Sequence, residues 1–116
     1  MARDPRDLLP LKPLVFDVLL ALDNGERHGW SLVRELQDGG HHTILPANFY
    51  RILRTMLGDG LIEESDRVAD EGEERRRYFR LTSRGREVAR LEARRVHMLA
   101  NDKRFQRLLK PTARKP

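Results

Sequence analysis

Apolar residues recur at helical spacing in three separate runs through the first half of the chain. Leu14, Val15, Val18, Leu19 and Leu22 make one wide face and predict a helix from Pro13 to about Leu22. Pro13 suits a first turn, where a missing N–H costs nothing, and Asp23-Asn24-Gly25 supplies the turn that ends it. Leu32, Val33 and Leu36 predict a second helix from Trp30 to about Gln37, stopped by Gly39-Gly40, with His41 and His42 in the loop beyond. Pro46 opens a third, in which Phe49, Ile52, Leu53, Met56 and Leu57 share the apolar face. Asn48, Arg51 and Thr55, with Tyr50 and Arg54, lie off that face.

After Gly60 the pattern changes. Leu61 to Val68 predicts a strand, Asp70 to Glu74 a loop around Gly72, and Arg75 to Leu81 a second strand, together a β-hairpin with Phe79 and Leu81 facing the core. Thr82 is a good N-cap for a last helix running to about Leu109. Val88, Leu91, Met98, Phe105 and Leu109 follow heptad spacing in it, with Arg95 and Asp102 interrupting the seam. So small a domain has little to bury that stripe against, so a second copy is expected to cover it, with Val88, Leu91, Arg95, Met98 and Phe105 at the contact. The expected organisation is an arm over 1–12, a helical and hairpin domain over 13–81, a dimerisation helix over 82–109 and a disordered tail over 110–116. The fold class is mainly α with a small β-hairpin: a winged helix-turn-helix plus a C-terminal dimerisation helix.

Charge sharpens this picture. The chain has 116 residues and a formal net charge of only +5. Residues 1–74 carry 8 basic and 15 acidic side chains, whereas residues 75–116 carry 15 basic and 3 acidic. A basic half of that density points to a polyanionic partner, or else to a solvated helix rich in Arg. The sequence has no cysteine, which excludes a disulfide framework and a cysteine zinc site and fits a reducing cytosol. A cytoplasmic location is expected: no signal peptide is evident, and the apolar stretch from Leu14 to Leu22 contains Asp17 and is too short to span a bilayer. No His/Asp/Glu spacing suits a catalytic metal, no Gly-rich phosphate loop is present, and no nucleophile has a plausible base partner. The chain is therefore read as a non-enzyme, without catalytic residues, metal or cofactor.

Four motifs carry a family resemblance. His28-Gly29-Trp30 is similar to the His-Gly-Tyr signature of PadR-family transcriptional regulators, with Trp in place of the usual Tyr. Phe49-Tyr50-Arg51-Ile52-Leu53 resembles their recognition helix, and Asp59-Gly60-Leu61-Ile62-Glu63 their turn into the wing. Arg75-Arg76-Arg77-Tyr78-Phe79-Arg80-Leu81-Thr82, followed by Gly85, resembles their Arg-rich wing strand and the Leu-Thr-x-x-Gly start of the last helix. The similarity spans roughly Pro13 to Leu99. It implies a homodimeric bacterial regulator of double-stranded DNA, usually a repressor, of the short form with a single C-terminal helix. Asn48 stands where Ser or Thr is common, and the wing loop carries Asp70, Glu71, Glu73 and Glu74.

The candidate DNA contacts follow from side-chain chemistry. Asn48 and Arg51 can each make bidentate contacts to a purine edge, Arg54 suits a phosphate, and Tyr50 either contacts a phosphate or caps the helix surface; the alternative for all four is a solvated helix face. Arg75, Arg76 and Arg77 are either phosphate contacts or strand-edge charges paired to Glu73 and Glu74. Arg84 and Arg86 lie in the first turns of the last helix, where a cation opposes the helix dipole unless an outside phosphate is near. His28 is read as a satisfied, partly buried histidine and Asp17 as facing solvent or a partner copy. A small aromatic effector, known in parts of the family, would have only Phe105, Met98 and His97 to meet it. A different class also fits: a winged-helix module that binds protein and not DNA, favoured by the acidic first half and wing tip.

Overall fold

A computed structural model describes residues 4–41, 44–65 and 77–111. Three helices form the centre: α1 (Pro13–Leu22), α2 (Gly29–Asp38) and α3 (Pro46–Gly58). Val18, Leu19 and Leu22 of α1, Leu32, Val33 and Leu36 of α2, and Phe49, Leu53 and Met56 of α3 meet in one core, all essentially excluded from solvent. These are the positions that the helical periodicity selects. Burial on this scale, at about 25 cal/mol per Å² of apolar surface, holds the three helices together.

A three-stranded antiparallel sheet flanks the helices: β1 (Arg27–His28), β2 (Ile62–Glu64) and β3 (Tyr78–Leu81), in the order β1-β3-β2. The expected hairpin is its β2–β3 part, with Ile62 opposite Leu81 and Glu64 opposite Phe79. Phe79 is buried and the half-buried Leu81 packs against the same core. The expected loop over 70–74, along with Arg75 and Arg76, lies outside the described residues. β1 is an addition to the expected fold. Its two residues pair with Phe79 and Tyr78, too short a run for periodicity to reveal.

Two of the sequence motifs prove to be halves of one joint. The last turn of α3 closes with Gly60 N–H donating to the Leu57 carbonyl and Leu61 N–H to the Met56 carbonyl. This is a Schellman ending that places Gly60 at φ +75°, where a side chain is strained. The helix α4 (Ser83–Ala100) starts against that turn. Its cap Thr82 accepts from Gly85 N–H at 2.9 Å and donates its own hydroxyl to the Gly60 carbonyl at 2.5 Å. Gly85 lies so close to the strand entrance that a Cβ on it would fall 1.9 Å from the Leu61 carbonyl oxygen.

The C-terminal segment differs from the single helix expected over 82–109. It breaks at Asn101-Asp102 and resumes as α5 (Lys103–Leu109). Asp102 caps the new helix by accepting from Arg104 N–H at 2.7 Å, so it begins a helix and does not interrupt a seam. Val88 is fully buried in the chain's own core, which removes it from the expected dimer contact. Of the tail expected over 110–116, only Lys110 and Pro111 are described.

The N-terminal arm is also more than a loose extension. Pro5–Leu8 forms a short 3-10 turn capped by Asp4, and Leu8, Leu9 and Leu11 pack against the core. Leu11 N–H donates to the carboxylate of Glu92 at 2.9 Å. Glu92 is only 1% exposed, and Arg95 bonds the same carboxylate at 2.5 and 3.1 Å. The guanidinium of Arg95 holds the Glu92 carboxyl below the usual range, against the opposing effect of burial. A buried carboxylate with three charge-assisted or backbone donors is satisfied. Asp17 is half-exposed, as expected of a residue facing solvent, and also has a partner within the chain. His41 Nε2 approaches its carboxylate at 2.5 Å and ties α1 to the loop after α2.

Candidate nucleic-acid interface

The candidate recognition surface begins with α3. Its inner side is fixed by Phe49, Leu53 and Met56, so its outer side is presented on a rigid frame. Asn48, Tyr50, Arg51 and Arg54 are all exposed there. Arg51 donates through Nη2 to the Asn48 side-chain oxygen, one turn back on the same face. The Thr55 hydroxyl donates to the Arg51 carbonyl at 3.2 Å. Arg54 has no hydrogen-bond or ion-pair partner among the described residues. All four α3 residues are exposed, but they divide around the helix: Asn48 and Arg51 pair with each other, while Tyr50 and Arg54 turn toward β3 and the start of α2.

The two remaining motif pieces converge beside it. His28 caps α2: its Nδ1 accepts from Ser31 N–H at 3.0 Å, and its ring stands edge-on to Tyr78 at 5.4 Å. This agrees with a satisfied, half-buried histidine. Gly29 N–H donates to the Arg77 carbonyl at 3.0 Å, pinning the start of α2 to the sheet. The Tyr50 ring lies over Gly29 so closely that a Cβ there would be 2.9 Å from Cε1. The Gly of the first motif thus makes room for the Tyr of the second. Between α2, α3 and β3 opens a cleft of about 510 Å³ lined by Trp30, Tyr50, Leu57 and Phe79, with Arg54 and Arg77 on it.

The other cations divide. Arg77 is exposed and meets Glu64 at 3.2 Å, and Arg75 and Arg76 lie outside the described residues. Arg84 is turned inward: its Nε donates to the Asp59 carbonyl at 2.9 Å, and its stem lies against Gly60. It caps the carbonyl end of α3, a favourable place for a cation. Arg86 binds Asp23 at 2.6 Å and links α4 to the end of α1. The structure shows both arginines satisfied within the chain.

The expected dimer contacts are also spread out. Val88 is buried, Leu91 half-buried, and Arg95 committed to Glu92. Met98 is 68% exposed on α4, and Phe105 is half-buried on α5 beyond the break. Leu99, Leu108 and Leu109, with Val96, are exposed large apolar residues on the same two helices that the heptad reading passed over, apart from Leu109. His97 and Met98 are separated from Phe105 by the Asn101-Asp102 turn. No helix among the described residues is long and apolar enough to cross a membrane.

A helix-turn-helix followed by an antiparallel wing, with a helix face of Asn and Arg held outward, defines a winged-helix protein. The family model described as the transcriptional regulator PadR-like family matches residues 18–91. The chain belongs to that family. It is similar to the crystal structure of a PadR-like transcriptional regulator from Bacillus cereus, with 22% identity and a TM-score of 0.73, over 85% of this chain and 93% of that one. A Streptococcus transcriptional regulator shares 25% identity at a TM-score of 0.71, over 84% of this chain and 92% of its own. A PadR family transcription regulator from hypervirulent Clostridium difficile shares 15% at a TM-score of 0.71, over 85% and 100%. Comparison with curated proteins gives no match.

Proposed function

We propose that this PadR-family regulator is a homodimeric, cytoplasmic repressor that occludes a promoter by binding a near-palindromic operator. The α3 of each copy enters the major groove, with Asn48 and Arg51 at base edges and Arg54 on a phosphate. The observation that carries the reading is the face of α3. Its inner side is locked into the core while Asn48, Arg51 and Arg54, which has no partner among the described residues, stand exposed on one rigid helix. Pairing of two copies is supported by Met98, Leu99, Leu108 and Leu109, whose exposure leaves apolar surface on α4 and α5 for a second copy. Arg75, Arg76 and Arg77 supply phosphate contacts from the wing.

Binding of the full chain to random duplex DNA, measured against salt, tests this. Affinity should fall steeply as salt rises, because bound arginines displace condensed counterions. Absence of binding at low salt, or binding indifferent to salt, would instead favour the protein-binding module.

A further inference from the structure

Trp30 is the second residue of α2 and is 47% exposed, an unusual position for the chain's one tryptophan. It does not stand on open surface. It lines the cleft together with Tyr50, Leu57 and Phe79, and the charges there are Arg54 and Arg77. Among the described residues, no carboxylate lines this cleft. Its volume of about 510 Å³ is in the range of specific ligand sites. A surface that combines apolar and aromatic side chains with two arginines complements a ligand with C–H faces next to fixed anions. A deoxyribose-phosphate chain has that composition.

The position of the cleft selects among anionic ligands. In a helix-turn-helix the second helix lies in the groove and the first crosses the backbone beside it. Here the first helix is α2, and Trp30, at its start, lines the cleft together with Tyr50, Leu53, Arg54 and Leu57 of α3. We propose that the cleft seats the sugar-phosphate backbone of one DNA strand beside the groove that α3 enters, with Arg54 and Arg77 on the phosphate and Trp30 and Tyr50 against the deoxyribose. This rests on the DNA-binding reading above and adds an apolar anchor to it. Arg77 exchanges Glu64 for the phosphate at little cost, because both partners of that pair are exposed to water. At the α2 terminus the Gly29 N–H is already spent on the Arg77 carbonyl and the Ser31 N–H on the His28 ring.

The two kinds of contact separate by their salt dependence. Arginine–phosphate contacts release counterions, whereas a tryptophan–sugar contact releases none. Truncating Trp30→Ala should weaken duplex binding about fivefold or more, as for a truncated interface aromatic, and leave the salt slope unchanged. Arg54→Ala or Arg77→Ala should each reduce the slope by about one. Trp30 emission reports on the parent protein directly: it should change on titration with a short random-sequence duplex, with the midpoint given by anisotropy of labelled DNA. Inorganic phosphate at matched ionic strength should leave it unmoved. Duplex that binds without moving the emission overturns the seat, even if Trp30→Ala fails to fold, and leaves DNA binding intact. Emission that responds to phosphate alone, or to polyglutamate and not duplex, overturns it in favour of a simple anion or an acidic protein. Duplex that does not bind at all removes both readings.

Discussion

Substituting Gly85 by Ala tests the joint that aims α3, and the structure sets the size of the effect. Gly85 is a helical residue of α4 with no left-handed backbone to protect, so on propensity alone Ala would stabilise it by about 0.8–1 kcal/mol. A Cβ built there lies 1.9 Å from the Leu61 carbonyl oxygen and 2.8 Å from its carbon. Both are backbone atoms between the Gly60 turn and β2, so relief requires α4 and the wing entrance to separate by more than 1 Å before the contact reaches even a tight 3.0–3.4 Å. That movement would break the bonds from Thr82 to Gly60 and from Thr82 N–H to Leu61. Lost joint bonds and overpacking together outweigh the propensity gain, and the net loss should be about 2–4 kcal/mol. Gly58→Ala is the matched control, since a Cβ there meets nothing within 4 Å and should be neutral or stabilising by up to about 1 kcal/mol. Urea unfolding of the two variants beside the parent measures both. A Gly85→Ala protein as stable as the parent, or a Gly58→Ala protein that loses as much, would refute the close-approach argument.

Glu92→Ala should cost about 1–3 kcal/mol, because Leu11 N–H loses its acceptor and Arg95 its partner. Since Arg95 depresses the Glu92 carboxyl, the ionised form contributes stability above the ordinary Glu value of 4.5. That contribution should be lost as pH falls through the lowered folded value, so the gap to Glu92→Gln in urea midpoint should narrow below pH 4.5. A gap that widens on acidification would be inconsistent with a depressed carboxyl. Leu108→Glu, at a site 85% exposed in the single chain, should leave the fold intact but give monomers by sedimentation, whereas a parent that is itself monomeric at micromolar concentration would contradict the pairing. Arg51→Ala should relax discrimination between cognate and random duplex by about 1–3 kcal/mol, while Arg54→Ala lowers both affinities alike; the reverse pattern would exchange their roles.

The three helices were legible because each buries a face whose period local sequence carries, and the motif pieces were legible because each is a short fixed spacing. What local pattern could not carry was contact at a distance. The docked arm depends on Glu92, 81 residues from Leu11, and nothing near Leu8, Leu9 and Leu11 announces that partner. The break before α5 did have a signal, Asn101-Asp102 ahead of an Arg-rich turn, but an acidic residue inside a heptad stripe also reads as an interruption. Cations were the least legible part of the site. Arg84, Arg86 and Arg95 have the same composition as Arg51 and Arg54, yet the fold spends the first three on Asp59, Asp23 and Glu92 and leaves the other two facing outward.

Selection of bound sequences from a random duplex pool by the full chain tests the central claim most directly. Two copies of α3, each reading a major groove through Asn48 and Arg51, should enrich near-palindromic sites whose half-site centres lie one helical turn apart, about 10–10.5 bp, or a multiple of it. Enrichment of single, unpaired half-sites would contradict the dimeric reader, and a pool that stays random after selection would contradict sequence reading by α3 altogether.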